Sequence, residues 1–152
     1  LGRDLATGVR GRTAVIYGGR GVGSTAAYRW KTQINENAKC PAFAGIVPEM
    51  NHNELEGWRP GPSEGFGLVY LRDSEDHPAV ARRLDLSGTV LSGNVRRVGE
   101  VRSAGTGPLA RFFSLAVVGD VASVFMAEDA GVDPVPVESL EEFKVMLAKG
   151  TP

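Results

Sequence analysis

Glu36 and His52 are the two side chains whose types and surroundings point to proton-transfer chemistry. A carboxylate can take a proton from carbon, and an imidazole exchanges protons near neutral pH. Glu36 stands in Asn35-Glu36-Asn37-Ala38-Lys39, and His52 in Pro48-Glu49-Met50-Asn51-His52-Asn53-Glu54. Whether one copy of the chain can bring the two together depends on the elements between them.

Thr13 to Gly19 predicts a strand, Gly19 to Gly23 a glycine turn, and Ser24 to Ala38 a helix with Ser24 as its N-cap. Ala26, Trp30, Ile34 and Ala38 recur every four residues and form the expected buried stripe. Glu36 lies about 200° around the helix from Ile34, so it points away from that stripe. Pro41 opens a second strand, Ala42 to Val47. In a right-handed βαβ unit the helix runs back antiparallel to its strands. Glu36 then sits near the start of the second strand and His52 beyond its end, roughly 20 Å apart at about 3.3 Å per strand residue. A site using both groups needs two copies of the chain.

The turn Gly18-Gly19-Arg20-Gly21-Val22-Gly23-Ser24 follows a strand and opens a helix, a context in which backbone N–H groups cradle anions. It lacks the lysine of a P-loop and its glycine spacing differs from the dinucleotide fingerprint. Two readings stand: a plain tight turn, or substrate contact through Gly19 and Gly21, with Arg29 on the following helix as a further candidate.

Further along, Gly67 to Arg72 predicts a third strand, Pro78 to Leu86 a helix, and Asn94 to Ser103 a fourth strand whose Val95, Val98 and Val101 are spaced by three rather than two. Pro108 to Ala127 predicts the longest helix, apolar nearly all the way round, so more than one of its faces must be covered. Arg111 and Asp120 argue against its crossing a membrane. Val137 to Lys149 predicts a last helix with Leu140, Phe143 and Leu147 turned inward, and Arg59-Pro60-Gly61-Pro62-Ser63 a loop. Alternating strands and helices give a three-layer αβα domain on a mostly parallel sheet, of flavodoxin-like topology.

A length of 152 residues with 42% hydrophobic content is enough for one domain with a real core. The first twelve residues read as a lead-in, and a start at Leu1 fits a longer polypeptide. A net charge of -1 with interspersed signs gives no nucleic-acid footprint. The single cysteine, Cys40, cannot form an internal disulfide, which fits a reducing cytoplasm. Two histidines 25 positions apart without a cysteine pair make no metal signature. His77, before Pro78, reads as a surface residue at a helix start.

The run from Arg29 to Lys39, Pro41-Ala42-Phe43, Pro48-Glu49, Asn51-His52-Asn53-Glu54 and Gly57-Trp58 closely resembles the bifunctional phosphoglucose/phosphomannose isomerases of the sugar isomerase (SIS) superfamily. The resemblance continues through Ala110 to Leu115, Gly119-Asp120 and Gly131 to Pro134. It implies a two-domain protein of which this sequence is the second, C-terminal SIS domain, with phosphate-binding residues mainly in the first. It also implies that Glu36 is the catalytic base and that His52 opens the sugar ring from the neighbouring subunit of a homodimer. A catalytic lysine is expected near the C-terminus; Lys144 fits better than Lys149. The implied reaction interconverts phosphorylated aldo- and ketohexoses through a cis-enediol and needs no metal or organic cofactor. The alternative is a non-catalytic SIS module that senses a phosphosugar.

Overall fold

The computed structural model of the chain describes residues 1–59 and 63–150. Pro60 to Pro62, within the expected loop, lie outside the described residues.

Four parallel strands, β1 (Thr13–Gly19), β2 (Ala42–Val47), β3 (Phe66–Arg72) and β4 (Arg96–Arg102), form one sheet in the order β2-β1-β3-β4. This is the strand order of the flavodoxin-like doubly wound arrangement. The central strands β1 and β3 are buried almost throughout, as continuous apolar runs in a two-sided sheet require. At the edge, β2 leaves Phe43 and Ile46 exposed.

Helices cover both faces. On one side α1 (Gly2–Val9), α2 (Val22–Asn37) and α5 (Pro108–Ala130) enclose a core of Ile16, Trp30, Ile34, Val69 and Leu115. On the other, a 3₁₀ turn (Glu49–Asn51), the short α3 (Glu54–Gly57) and α4 (Pro78–Val90) cover Tyr17, Met50, Leu68, Tyr70 and Leu84. The stripe Ala26, Trp30, Ile34, Ala38 is buried as its period demands. Trp30 donates its indole N–H to the Leu115 carbonyl at 2.9 Å. Its ring lies against Gly119 so closely that a β-carbon there would come within 2.3 Å.

The uneven spacing in β4 has a local cause. Leu68 pairs with Arg97 and Val69 with Gly99, so Val98 is bulged out of the ladder. One skipped residue resets the alternation of faces. Val98 and Val101 therefore both meet the α1/α2/α5 core, while Val95 joins the opposite one.

Three expectations are corrected. The first twelve residues are more than a lead-in: α1 buries Leu5, Ala6 and Val9 and packs against α5, with Arg3 paired to Asp129 and Glu128. Ser24 is not the N-cap of α2. Gly21 holds that position at φ 103°, a left-handed backbone suited to glycine, and Ser24 at the third helical position accepts a hydrogen bond from the Gly21 N–H at 3.1 Å. The last helix, α6 (Glu138–Ala148), does not turn Leu140, Phe143 and Leu147 inward: it buries no side chain, and all three are exposed. An amphipathic stripe states that apolar surface needs a partner, but it does not say that the partner lies in the same domain.

By length and composition α5 is apolar enough to cross a membrane, with a mean hydropathy of 1.7. Its charged residues bind it to the domain instead, Arg111 pairing with the buried Asp73 and Asp120 with Arg29.

Candidate functional site

Glu36 occupies the last turn of α2, exposed, at the edge of the sheet where β2 begins. Its neighbours are anchored on either side. The Asn35 side-chain amide donates to the Cys40 carbonyl at 2.9 Å, and that of Asn37 donates to the hydroxyl of the buried Ser123 on α5 at 2.8 Å. The carboxylate is thus carried on a helix end whose backbone and flanking side chains are held, while the carboxylate itself is exposed and makes no hydrogen bond or ion pair among the described residues. It opens into a cleft of about 690 Å³ whose other walls include Lys39, Asp133, Pro136, Val137 and Leu140. That volume lies within the range of small-molecule sites, roughly 300–1,000 Å³. A smaller cleft of about 390 Å³ at the same edge, lined by Val9, Arg12, Cys40 and Asp129, holds none of the candidate residues. Burial pushes the Cys40 thiol above its usual range.

His52 lies at the opposite edge. It follows the 3₁₀ turn beyond the end of β2, exposed, with its N–H donating to the Glu49 carbonyl at 3.0 Å. The segment around it is pinned from both sides. Met50 is fully buried, Asn51 donates to Ser87 at 2.7 Å, and Asn53 caps α3 through the Glu54 N–H. Glu54 in turn accepts the hydroxyl of the buried Tyr17 at 2.7 Å, and the Trp58 indole N–H donates to that same hydroxyl at 3.1 Å. The imidazole is presented outward from a fixed backbone. Glu36 and His52 of one copy therefore lie at opposite ends of β2, as the βαβ handedness requires, and do not meet.

The glycine turn shares the His52 edge. Gly19 pairs with Val47 at the end of β2, and the Arg20 N–H donates to the Val47 carbonyl. Gly19 also lies beside Asp76, whose carboxyl would be only 2.4 Å from a β-carbon at that position and is pushed up in pKa, chiefly by burial. A carboxyl group there disfavours an anion at Gly19. The N–H of Gly21 is already engaged by Ser24. Arg29, on the outer side of α2, donates from Nε and Nη2 to Asp120, which raises its pKa further. The structure thus groups Gly19 and Gly21 with His52 and keeps them away from Glu36, and it neutralises the charge of Arg29 within the domain.

Lys144 and Lys149 are both exposed, Lys144 within α6 and Lys149 at its C-cap, and neither lines the Glu36 cleft. The first turn of α6 does line it, through Glu138, Ser139 and Leu140. His77 is the N-cap of α4, its Nδ1 accepting from the Ala79 N–H. No cluster of three or more metal-ligating side chains occurs among the described residues. Local patterning missed the Tyr17–Glu54–Trp58 network, whose members are 37 and 41 positions apart. A tyrosine inside an otherwise apolar strand was its one available signal, since a buried phenol seeks a partner.

That network yields a prediction. Tyr17→Phe leaves Glu54 and Trp58 without their shared partner and costs about 1–3 kcal/mol, whereas Tyr70→Phe is near neutral. The buried Tyr70 hydroxyl has no hydrogen-bond partner among the described residues. Burial raises the pKa of both phenols, that of Tyr17 with help from Glu54 and that of Tyr70 to about 12. An unfolded tyrosine titrates near pH 10, so the stability linked to both protonated phenols is whole below about pH 10 and declines as pH rises above it. Thermal melts of the wild type and the two phenylalanine variants between neutral and strongly alkaline pH measure both effects. A Tyr70→Phe variant with the same alkaline decline as the wild type would contradict the assignment.

The chain matches, over residues 1–147, the family described as the bacterial phospho-glucose isomerase C-terminal SIS domain. It is 38% identical over 152 residues to a bifunctional phosphoglucose/phosphomannose isomerase of Caldicellulosiruptor bescii, covering 98% of this chain and 44% of that protein. A protein of the same name from Aquifex aeolicus is 38% identical over 149 residues, covering 97% and 46%. The chain thus spans less than half the length of these relatives. Among solved structures, a glucose-6-phosphate isomerase like protein from Thermus thermophilus superimposes with a TM-score of 0.73 at 21% identity, over 93% of this chain and 46% of that one, which supports the shared fold. With nearly its whole length matched, the chain belongs to the family of bacterial phospho-glucose isomerase C-terminal SIS domains.

Proposed function

We propose that this domain is the C-terminal half of a two-domain aldose–ketose isomerase that interconverts glucose 6-phosphate or mannose 6-phosphate with fructose 6-phosphate. The observation that carries the proposal is Glu36 itself: an exposed carboxylate on an anchored helix end, facing a cleft of about 690 Å³. In the proposed reaction that carboxylate removes the proton from C2 of the open-chain aldose. Electrons from the C–H bond form the C1–C2 double bond of a cis-enediol while the C1 carbonyl oxygen takes a proton from water, to which the C2 hydroxyl later returns one. The protonated carboxyl then returns its proton to C1, and the other hydroxyl releases one as the new carbonyl forms at C2. His52 of the partner subunit assists ring opening, since imidazole exchanges protons near neutral pH. The family resemblance assigns Lys144 to steady negative charge on the enediol oxygens, a role that requires α6 to carry it to the cleft it does not line in the isolated domain.

The surface of α5 supports an assembly larger than this chain. Leu109, Phe113, Val117 and Val121, four residues apart, run down one side of the helix and are all exposed. Gly2 lies against Val121, so a domain preceding Leu1 would emerge beside this stripe and be tethered there at high effective concentration. Phosphate binding belongs to that preceding domain, and the homodimer supplies the second sheet edge.

This division of labour predicts that the 152-residue chain alone converts fructose 6-phosphate poorly. Binding energy from the remote phosphate, which it lacks, supplies part of the transition-state stabilisation. A coupled assay on the purified chain and on a two-domain version measures the difference. Equal turnover by the two would overturn the proposal that the first domain holds the phosphate.

A further inference from the structure

Lys39 is the single non-glycine residue with a left-handed backbone among those described, at φ 54°. It follows Ala38, the C-cap of α2, at the position where glycine or asparagine commonly ends a helix. A β-carbon crowds the following carbonyl in that conformation, so a lysine there needs a compensating interaction. Its ammonium group provides one, donating to the carbonyls of Glu36 at 2.6 Å, Pro134 at 3.3 Å and Pro136 at 2.5 Å. Three carbonyls use all three N–H donors of an ammonium. The positive charge also lies at the C-terminal end of α2, where the helix dipole favours a cation.

The second and third of these bonds reach the segment that leads into α6. Among the described residues they are the hydrogen bonds that join residues 133–150 to the rest of the domain, and α6 buries no side chain that could hold it otherwise. The same segment, through Pro136, Val137 and Leu140, forms the wall of the cleft opposite Glu36. Removing the ammonium therefore frees that wall from the helix end that carries Glu36.

We propose that Lys39 is a positioning residue: it clamps the start of α6 to the end of α2 and so sets the width of the cleft into which Glu36 opens. The clamp rests on the reading of Glu36 as the proton-transfer base only for its effect on rate. Lys39 itself touches no reacting atom in this role. Without the clamp, substrate bound through its phosphate elsewhere would still be captured, but its C1 and C2 would no longer be held against the carboxylate.

Three substitutions test this. Lys39→Met keeps the stem and removes the ammonium, Lys39→Gly also relieves the left-handed backbone, and Lys39→Arg keeps a cation with several donors. In the 152-residue chain, hydrogen exchange followed by mass spectrometry is expected to speed up about tenfold or more at residues 138–148 in Lys39→Met and Lys39→Gly, with the sheet unchanged and Lys39→Arg near wild type. In a two-domain version of the protein, kcat should fall about 10- to 100-fold in the Met and Gly variants, with KM changed far less and activity partly restored by arginine. Lys39→Gly separates the clamp from general stability, because relieving the backbone is expected to leave its melting temperature no lower than that of Lys39→Met. Unchanged exchange in α6 overturns the clamp, and faster exchange with an unchanged kcat overturns its positioning role. A two-domain wild type without isomerase activity overturns the functional reading instead, while the exchange result still decides the clamp.

Discussion

Glu36→Gln in a two-domain version of the protein is expected to lower isomerisation about 10²- to 10⁴-fold, the usual contribution of a general base. Glutamine keeps the size of the side chain and removes its basicity. The anchors of Asn35 on Cys40 and Asn37 on Ser123 do not involve the carboxylate, so the helix end should stay in place. Affinity for the phosphosugar should change little, because the phosphate is bound elsewhere in the proposed enzyme. The opposite-edge placement of Glu36 and His52 makes a sharper test available. Homodimers of Glu36→Gln and of His52→Ala should each be weak, and mixing them should restore activity. A heterodimer contains one site with both groups intact and one with neither, so each should show about half of wild-type activity if a two-fold dimer shares its sites. Mixed dimers, verified by mass, that remain as inactive as their parents would show that the two residues do not meet across subunits.

Trp30→Ala is expected to produce the largest loss of stability. Truncating a buried tryptophan costs about 3–5 kcal/mol, against a total of about 5–15 kcal/mol for a typical domain. Here the indole fills the space between α2 and α5, is 2% exposed, and satisfies the Leu115 carbonyl. It also lies over Gly119, whose missing side chain is what allows the two helices to approach. Alanine would leave a cavity that the two helices cannot close without moving the anchor of Asn37 on Ser123, on the same face of α5. Urea denaturation monitored by far-ultraviolet circular dichroism should show a lower midpoint with an unchanged slope. Trp30→Phe should fall between the two, retaining most of the apolar area and losing the hydrogen bond. A Trp30→Ala midpoint equal to that of the wild type would show that this contact is not central to the fold.

The elements that position Glu36 and His52 were legible in the sequence, because their signals are local. β1 and β2 begin and end as their apolar runs predict, and the stripe of α2 identifies its buried face. The chirality of βαβ connections then suffices to place the two groups at opposite sheet edges. The most specific block of the resemblance to SIS isomerases falls in the same region, with further segments out to Pro134, and the family match over residues 1–147 agrees with it.

What the sequence could not determine was which distant surfaces meet. Leu5, Ala6 and Val9 become core because α1 packs beside α5 and over β3 and β4, with Leu5 against Gly99 and Val9 against Gly67, all far along the chain. Leu140, Phe143 and Leu147 have the same amphipathic spacing as a packed helix, yet α6 stands unpacked. Arg29 looked free for an anion until Asp120, 91 positions away, took its guanidinium. Lys39 gave no local sign of its left-handed backbone or of the carbonyls of Pro134 and Pro136. Periodicity reports only that a face is apolar or that a charge is exposed along its own helix. The partner that buries the face or neutralises the charge comes from another part of the chain, and only the folded arrangement of elements supplies it.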